Sequence, residues 1–272
     1  MIPYDSLTEQ DFILRKPYYG FTKSTTPELK IHIGLSKWTN EFADSNKSTK
    51  PLTTYSKHFD VVEMNATHYT LYNEKSINEW YNQSAKGFKF CPKFLNKITH
   101  IGKLDYNSKL NLVDDFLSSI SAFKEKLGPS FIQVSERFGS NFIQDLIDFV
   151  KHLPKELESF IEVRSPNWFA DEKHLLALSN SFNKLNKGIV ITDTPGRRDA
   201  VHMTFPIPKA FIRFVGLGNN SIDRFRISEW KKYVLDFKEN GMKEVYFFIH
   251  THDESLAINF ANYVFEELSE AI

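Results

Sequence analysis

The chain has little of what marks disulfide-stapled domains, membrane proteins and nucleic-acid binders. Its single cysteine, Cys91, excludes an internal disulfide and a thiolate-rich zinc site. Cys91 stands in the largely apolar run 88–93, so we interpret it as a buried packing thiol. No apolar run approaches the roughly 20 residues of a membrane span. The 34 basic and 34 acidic residues cancel, which removes any general attraction to nucleic acid or to an anionic membrane.

Targeting signals are also missing from the start of the sequence. Residues 1–5 show neither the basic start nor the apolar stretch of a secretory signal. We therefore expect a cytoplasmic protein with no membrane partner. We also do not expect nucleic acid as a partner, because the local basic stripe is explained more simply as the solvated face of the seventh loop and helix. That stripe consists of Arg224, Arg226, Lys231 and Lys232.

Several catalytic motifs are absent as well. The first strand candidate leads into a turn with only one glycine, Gly34, and lacks the Gly-x-Gly-x-x-Gly dinucleotide fingerprint. No Gly-x-Ser-x-Gly elbow and no Gly-Lys-Ser/Thr phosphate loop occurs. An open dinucleotide-binding sheet, a serine hydrolase of the elbow type and a P-loop enzyme are thereby disfavoured.

From about residue 30 onward the sequence repeats one pattern, in which a β-branched and aromatic run is followed by polar residues and a helical stretch. Strands are predicted at 31–36, 59–65, 88–94, 130–135, 159–164, 188–193, 210–215 and 244–250. Helices are predicted at 52–57, 76–81, 109–127, 141–153, 172–185, 228–238 and 255–268, with Ser228 as an N-cap and 95–104 as a loop. Such alternation implies parallel pairing with right-handed crossovers. Eight units in 272 residues favour a (β/α)₈ TIM-like barrel.

Residues 1–30 fall outside this alternation. They contain Pro3, Pro17 and Pro27 and show no sustained period. We interpret 1–30 as an N-terminal extension packed on the barrel, and 31–272 as a single barrel domain.

Polar residues stand at the carboxyl ends of most predicted strands. Side chains of a barrel strand alternate between the interior and the helix layer, and an unpaired charge buried in the helix layer costs several kcal/mol. Pointing into the barrel mouth, where active sites of such barrels lie, these groups can pair with each other, water or ligand. We predict catalytic roles for Glu63, Glu162, Asp193 and Lys93, and ligand binding by Asn65, Gln133, Arg164, Arg213 and His250. The alternative is an inert ion-pair network that closes the barrel.

The loop after the sixth strand, 192–199, brings two threonine hydroxyls and two guanidinium groups, those of Arg197 and Arg198, to the mouth. Arginine forks suit carboxylate or phosphate, and backbone N–H groups near Gly196 could cradle an anion. We predict that Arg197 binds substrate, because Arg213 on the next strand would face the same loop. The alternative is a solvated turn in which the arginines pair with Asp199.

Aromatic and metal-binding candidates complete the site. Trp38 and Trp168 follow strands one and five and are predicted to stack on a ring-shaped substrate, with plain packing as the alternative. His250 and His252 could chelate a divalent metal with nearby carboxylates. No His-Glu-x-x-His spacing occurs, so we assign no metal ligand, and the cofactor is left open.

Blocks along the chain resemble the YecE-like family, domain of unknown function 72. They are 33–38, 62–69, 87–90, 97–100, 127–129, 161–168, 192–194 and 210–214, in family order. The resemblance implies a TIM-barrel-like fold and no particular reaction. Two departures are His68, where the family commonly has Phe or Tyr, and 248–252, where it often has an asparagine pair. A role for those asparagines does not carry over.

Together these observations predict an enzyme acting on a small anionic or phosphorylated metabolite by carboxylate acid–base chemistry. It would be a hydrolase, lyase or isomerase, with a divalent metal as one branch. A carboxylate pair also suits glycoside hydrolysis, but the cationic half of the pocket fits that reaction less well. The alternative is a non-catalytic barrel that binds a metabolite or a partner.

Overall fold

The structure is a computed structural model that describes residues 7–23, 28–39, 42, 49–218, 221–251 and 254–270. His252 and the N-terminal residues 1–5, on which predictions were made above, lie outside them.

Eight parallel strands form the wall of the predicted barrel. They are β1 (Lys30–Leu35), β2 (Val61–Met64), β3 (Lys89–Pro92), β4 (Ser130–Gln133), β5 (Ser159–Glu162), β6 (Gly188–Asp193), β7 (Lys209–Val215) and β8 (Glu244–His250). Their spatial order is β3-β2-β1-β8-β7-β6-β5-β4. The (β/α)₈ TIM-like fold is therefore confirmed.

The barrel closes where β3 meets β4. Between these two strands only two isolated parallel bridges form, in place of a continuous ladder. The Gly128 N–H donates to the Phe90 carbonyl at 2.8 Å, and the Phe94 N–H donates to the Phe131 carbonyl at 2.9 Å. We call this join the seam, and it leaves the barrel nearly closed.

Eight α-helices connect or follow the strands within the described part of the chain. They are α1 (Pro51–His58), α2 (Glu74–Gln83), α3 (Asn96–Thr99), α4 (Leu110–Ser121), α5 (Ile143–Lys151), α6 (Glu172–Leu185), α7 (Ser221–Glu239) and α8 (Glu254–Ser269). None of them combines the length and the apolar composition that crossing a bilayer requires.

Two helix predictions were wrong. α3 occupies part of the predicted loop, and its single turn is too short to produce a visible period. α7 begins at Ser221, and the predicted N-cap Ser228 lies inside it, donating its hydroxyl to the Phe225 carbonyl at 2.7 Å. The sequence does not indicate this start, because the first two turns are rich in charge. Arg226 is buried there through its ion pairs, although a charged residue is not expected at a core position.

Inside the barrel, an apolar layer lies below the mouth. It consists of Val61, Cys91, Phe131, Phe160, Val190, Ile207, Phe211, Tyr246 and Phe248. Gly188 leaves room for one of these rings, since a Cβ at this position would lie 2.1 Å from the Phe160 side chain. Burial raises the pKa of the Cys91 thiol well above its usual value, which confirms the packing role predicted for it.

The described part of the N-terminal extension lies against the outside of the barrel. Phe12 and Leu14 are buried, and the Leu14 N–H donates to the Glu229 carboxylate of α7 at 3.3 Å. A two-residue strand, Tyr18–Tyr19, pairs in parallel with Thr204–Phe205 in the β6–β7 connection. These contacts hold the extension along α7 and the β6–β7 connection.

Candidate active site at the barrel mouth

A ring of polar side chains lies directly above the apolar layer. Most of its members come two residues later along the strands that supply the layer. The alternation of a strand puts i and i+2 on one face, so the strands that supply Val61, Phe131, Phe160 and Phe211 also supply Glu63, Gln133, Glu162 and Arg213. We call the hydrogen-bonded set the polar ring. Its members are Glu63, Asn65, Lys93, Gln133, Glu162, Arg164, Thr192, Arg213 and His250.

Arg213 is the centre of the polar ring. Its Nε and Nη2 donate to Oε2 and Oε1 of Glu63 at 2.9 and 3.0 Å, and its Nη1 donates to Oε2 of Glu162 at 2.9 Å. Both carboxylates are almost completely buried, with 0% and 1% of their side chains exposed. The bidentate geometry explains how two buried acids are tolerated below the mouth.

Neutral and cationic groups surround Glu162. Oε1 accepts hydrogen bonds from Arg164 Nη1 at 3.0 Å and from Thr192 Oγ1 at 2.9 Å, and Oε2 accepts one from Gln133 Nε2 at 2.8 Å. The Gln133 Oε1 in turn accepts from Lys93 Nζ at 2.9 Å. The chain of contacts therefore runs from β3 to β7 without a break.

Glu63 has two further partners beside Arg213. Asn65 Nδ2 donates to its Oε1 at 2.7 Å, and His250 Nε2 lies 3.0 Å from its Oε2. Eight of the twelve residues predicted for the site thus belong to one hydrogen-bonded set. Their catalytic and binding roles stay predictions.

The pairing fixes the ionisation of the two glutamates. Burial alone would raise their pKa values, but the charge of Arg213 outweighs it and lowers both, the pKa of Glu162 to about 2 and that of Glu63 further. Burial and the charge of Arg213 lower the pKa of Lys93 to about 8, against the opposing pull of Glu162. Both glutamates are therefore ionised at neutral pH, and Lys93 titrates close to it.

An open cavity of about 550 Å³, which we call the mouth cavity, lies above the polar ring. Its floor includes Gln133, Arg164, Thr192 and Arg213. The rest of its lining comes from His100, Val134, Ser135, Glu136, Thr194 and Val215. The guanidinium of Arg164 is the most accessible charge of the floor, with 38% of its side chain exposed against 9% for Arg213.

His100 is a residue that sequence reasoning missed. It follows α3, which the sequence did not predict, and its Nδ1 lies 2.8 Å from the Thr99 hydroxyl. Burial, together with the charges of Lys93 and Arg137, lowers its pKa. The cavity thus has a neutral imidazole at its edge. The sequence placed the Thr192 hydroxyl at the mouth as part of a loop, whereas in the structure Thr192 belongs to β6 and its hydroxyl joins the polar ring.

Residues 32–272 match the family described as "Protein of unknown function DUF72". The chain belongs to the DUF72 family. It is similar to UPF0759 protein YecE of Escherichia coli strain K12, with 26% identity over 260 residues that cover 89% of this chain and 94% of YecE. UPF0759 protein YunF of Bacillus subtilis strain 168 is 25% identical over 148 residues, 52% of each chain. The resemblance to YecE-like proteins inferred from the sequence is thereby confirmed.

The fold of this DUF72 chain is also similar to a solved structure. A DUF72 family protein, EF0366 of Enterococcus faecalis V583, superposes with a TM-score of 0.70 over 88% of this chain and 98% of its own length, at 21% identity. This likeness concerns the fold. Because the DUF72 family is described as one of unknown function, membership assigns no reaction to the mouth cavity.

Asp193 does not reach the mouth in this DUF72 barrel. It lies on the other face of β6 from Thr192 and is fully buried towards α7. Its Oδ1 pairs with Arg198 and, at 2.8 Å, with Arg226, while its Oδ2 accepts from the Trp230 indole at 2.8 Å. We call this group the outer network. The parity of β6 places Thr192 in the ring instead, so the structure does not support the predicted position of Asp193.

Three residues that were predicted to bind the ligand make other contacts in the structure. Arg197 is paired with Asp199 at 2.8 Å and with Glu136 at 3.0 Å, as in the alternative of a turn that neutralises its own arginines. Trp38 packs edge-on against Trp80, with ring centroids 5.7 Å apart. Trp168 is fully buried, and its indole donates to the Phe138 carbonyl at 2.8 Å. Both tryptophans therefore have the packing role.

The basic stripe and the metal candidates also have definite positions. Arg226 is 1% exposed within the outer network, so the four predicted stripe residues do not form one solvated face. In the described part of the chain, no group of three His, Cys, Asp or Glu side chains is arranged to hold a metal ion. The ring nitrogen of His250 is directed to Glu63.

Proposed function

We propose that this DUF72 protein is an enzyme acting on a small organic anion, bearing a carboxylate or phosphate group, that binds in the mouth cavity. The observation that carries the proposal is a cationic floor beneath an accessible cavity. The polar ring contains three cations, Lys93, Arg164 and Arg213, and two carboxylates, Glu63 and Glu162. With Lys93 protonated, three positive and two negative charges leave one positive charge in excess.

The cavity has the dimensions and the position of an active site. Ligand pockets of small molecules occupy about 300–1,000 Å³, and barrel active sites lie at the carboxyl ends of the strands. Arg164 offers its exposed guanidinium, and Arg213 is held rigidly by its two glutamates. Ser135 and Thr194 line the cavity with hydroxyl groups that suit the neutral part of the substrate, and the Thr192 hydroxyl, which donates to Glu162, can still accept a hydrogen bond.

The lowered pKa values change the role that we assign to the glutamates. A carboxylate that stays ionised at neutral pH and is saturated by hydrogen bonds is a poor acid and a weak base. Glu63 and Glu162 would act as positioning residues that hold Arg213. Proton transfer would fall to His100, whose neutral imidazole borders the cavity, with Lys93 close behind Gln133. The reaction class is one of general acid–base chemistry, as in an isomerase, lyase or hydrolase.

A thermal-shift screen tests the binding half of the proposal. The panel consists of phosphorylated sugars, small di- and tricarboxylates, and neutral sugars and amides of the same sizes. At least one anion is expected to raise the melting temperature of the wild type and of Arg224→Ala, but not that of Arg164→Ala. Arg224→Ala is the matched control, because its exposed guanidinium lies over the Tyr263 ring and does not line the mouth cavity. A panel in which no anion separates Arg164→Ala from the control would contradict the proposal.

The catalytic half needs turnover of the ligand that the screen finds. General acid–base groups contribute about 10²–10⁴-fold, so His100→Gln is expected to lower kcat by about 100-fold or more while the ligand still binds. If the ligand binds the wild type but neither the wild type nor His100→Gln consumes it, the barrel is a binding protein and the enzyme assignment fails.

A further inference from the structure

A second cavity, of about 440 Å³, lies outside the barrel wall and beside the N-terminal extension. We call it the extension cavity. Its lining comes from four segments: the extension, α6, the loop after β5 and the β6–β7 connection. Its lining includes Arg15, Lys16, Phe169, Leu175, Leu176 and His202.

One side of the extension cavity is an aromatic and aliphatic wall. The rings of Phe169 and His202 are stacked, with centroids 6.1 Å apart and planes inclined by 14°. Both nitrogens of His202 are engaged, since Nε2 lies 3.1 Å from the Val190 carbonyl and Nδ1 accepts the Thr204 N–H at 3.1 Å. Burial lowers the pKa of His202 to about 4. His202 therefore presents a neutral, immobile ring, and the side chains of α6 extend this apolar surface.

Two cations also line the extension cavity. Arg15 and Lys16 are exposed, and among the described residues neither makes an ion pair or a side-chain hydrogen bond. The carboxylate of Asp199, which also borders the cavity, accepts three hydrogen bonds of 2.8–3.2 Å from Arg197, a cation that it shares with Glu136. Arg15 and Lys16 are therefore the cations of the lining that are not already paired with a described residue.

We propose that the extension cavity binds a second ligand, an organic anion with a flat or branched apolar body. The apolar part would lie against the Phe169–His202 wall, and the anionic group would bind Arg15 and Lys16. Aromatic faces and aliphatic side chains provide the contact area, and arginine provides a bidentate partner for carboxylate, sulfonate or phosphate. The ligand class thus differs from that of the mouth cavity, whose floor is polar.

The extension precedes the residues that match the DUF72 family, which begin at 32. The extension cavity therefore depends on a part of the chain that is not in the matched region. It is nevertheless linked to the mouth cavity by one loop, because Arg197 binds Asp199 on one side and donates to the Arg164 carbonyl at 3.1 Å on the other.

A fluorescence titration of the full chain with 8-anilinonaphthalene-1-sulfonate tests the proposal, since this probe combines aromatic rings with one sulfonate. Saturable binding to a single site is expected. The double variant Arg15→Ala/Lys16→Ala should weaken binding about tenfold or more. Leu176→Trp, which fills the cavity without changing charge, should abolish it, with the melting temperature kept as the check on folding. Lys23→Ala is the control, an exposed lysine of the same extension outside the cavity.

Two further arms locate the probe and test its charge. The uncharged N-phenyl-1-naphthylamine is expected to bind at least tenfold more weakly than the sulfonate. Arg164→Ala should leave sulfonate binding unchanged, which separates this site from the mouth cavity and from the fate of the function proposed for it. Equal binding of the two probes, loss of binding in Arg164→Ala, or insensitivity to both extension-cavity variants would overturn the proposal.

Discussion

Two clusters in the molecule are made of the same parts, an arginine held between two carboxylates, and lie on opposite faces of the barrel wall. In the polar ring, Arg213 lies between Glu63 and Glu162. In the outer network, Arg226 lies between Asp193 and Asp223, at 2.8 and 2.9 Å. The two differ in their surroundings, since the polar ring forms the floor of a cavity and the outer network is enclosed by aromatic rings.

The enclosure of the outer network explains its role. The Arg226 guanidinium lies 3.9 Å from the centroid of the Phe214 ring and 5.5 Å from that of Phe12, which belongs to the extension. Asp223 also accepts the Leu217 and Gly218 N–H groups at 2.7 and 3.0 Å, so the network also holds the backbone of these two residues after β7. The same arrangement of charges thus holds a loop on one face of the wall and borders an open cavity on the other.

The largest expected difference between the clusters is in stability. Asp193→Asn removes the charge shared by Arg198 and Arg226 in a sealed environment and is expected to cost about 3–5 kcal/mol. Glu162→Gln is expected to cost less, about 2 kcal/mol, because Arg213 keeps its bidentate partner Glu63 and the amide oxygen can still accept two of the four hydrogen bonds. Urea unfolding measures both, with Glu136→Gln as an exposed control. Equal losses for the two variants would remove the distinction between the clusters.

Lowering the pH should reduce the difference in unfolding free energy between the wild type and Glu162→Gln. The pKa of Glu162 is lowered to about 2 in the folded protein, so its contribution is complete above the unfolded pKa and is lost as the pH falls towards 2. At pH 3 the difference in unfolding free energy between the two proteins should be smaller by about 1–2 kcal/mol than at pH 7. A difference that is the same at both pH values would show that Glu162 is not stabilised as a carboxylate.

Anion affinity should rise when the polar ring loses a negative charge. Glu162→Gln increases the positive excess of the ring by one, so sulfate is expected to bind about tenfold more tightly, or about 1.4 kcal/mol. Calorimetric titration with sulfate measures this, at low ionic strength because salt screens the effect. Asp193→Asn, studied at a temperature where it is folded, should leave sulfate affinity unchanged. An increase in Asp193→Asn of the same size would mean that both clusters act on the cavity alike.

The smallest expected effect is the pH dependence of sulfate binding. Lys93 has a pKa lowered to about 8, so it is protonated below that pH and loses its charge above it. Sulfate stays a dianion over this range, and its affinity is expected to fall about threefold to tenfold between pH 7 and pH 9. Lys93→Met should bind more weakly at pH 7 and show a flatter profile. A profile in Lys93→Met as steep as in the wild type would assign the titration to another group.

Much of the barrel was predictable because it depends on local pattern. The spacing of apolar runs defined all eight strands, and α6 was predicted with its observed ends, since Asp171 caps it and its buried positions keep a regular period. Strand parity then brought Glu63, Glu162 and Arg213 together in the correct place.

The wrong predictions concern features that the residue pattern of a single strand or helix does not determine. The register of β6 decides whether Thr192 or Asp193 faces the interior, and a shift of one residue reverses the answer. The start of α7 was missed because Arg226 is buried by ion pairs with Asp193 on β6 and with Asp223 one turn earlier in α7. His100 was missed because its position depends on a single turn, α3, and on the neighbouring loops. Such features depend on tertiary contacts between distant segments.

The polar ring also connects the two strands that border the seam, β3 and β4. Lys93 follows β3, Gln133 ends β4, and their side-chain hydrogen bond of 2.9 Å crosses the join where the backbone ladder is interrupted. This side-chain hydrogen bond therefore helps to hold β3 and β4 together at the seam. A ligand that draws Lys93 or Gln133 towards itself would weaken this contact, and a ligand that binds both residues would strengthen it. Ligand binding at the mouth and local opening of the barrel wall would therefore be thermodynamically linked.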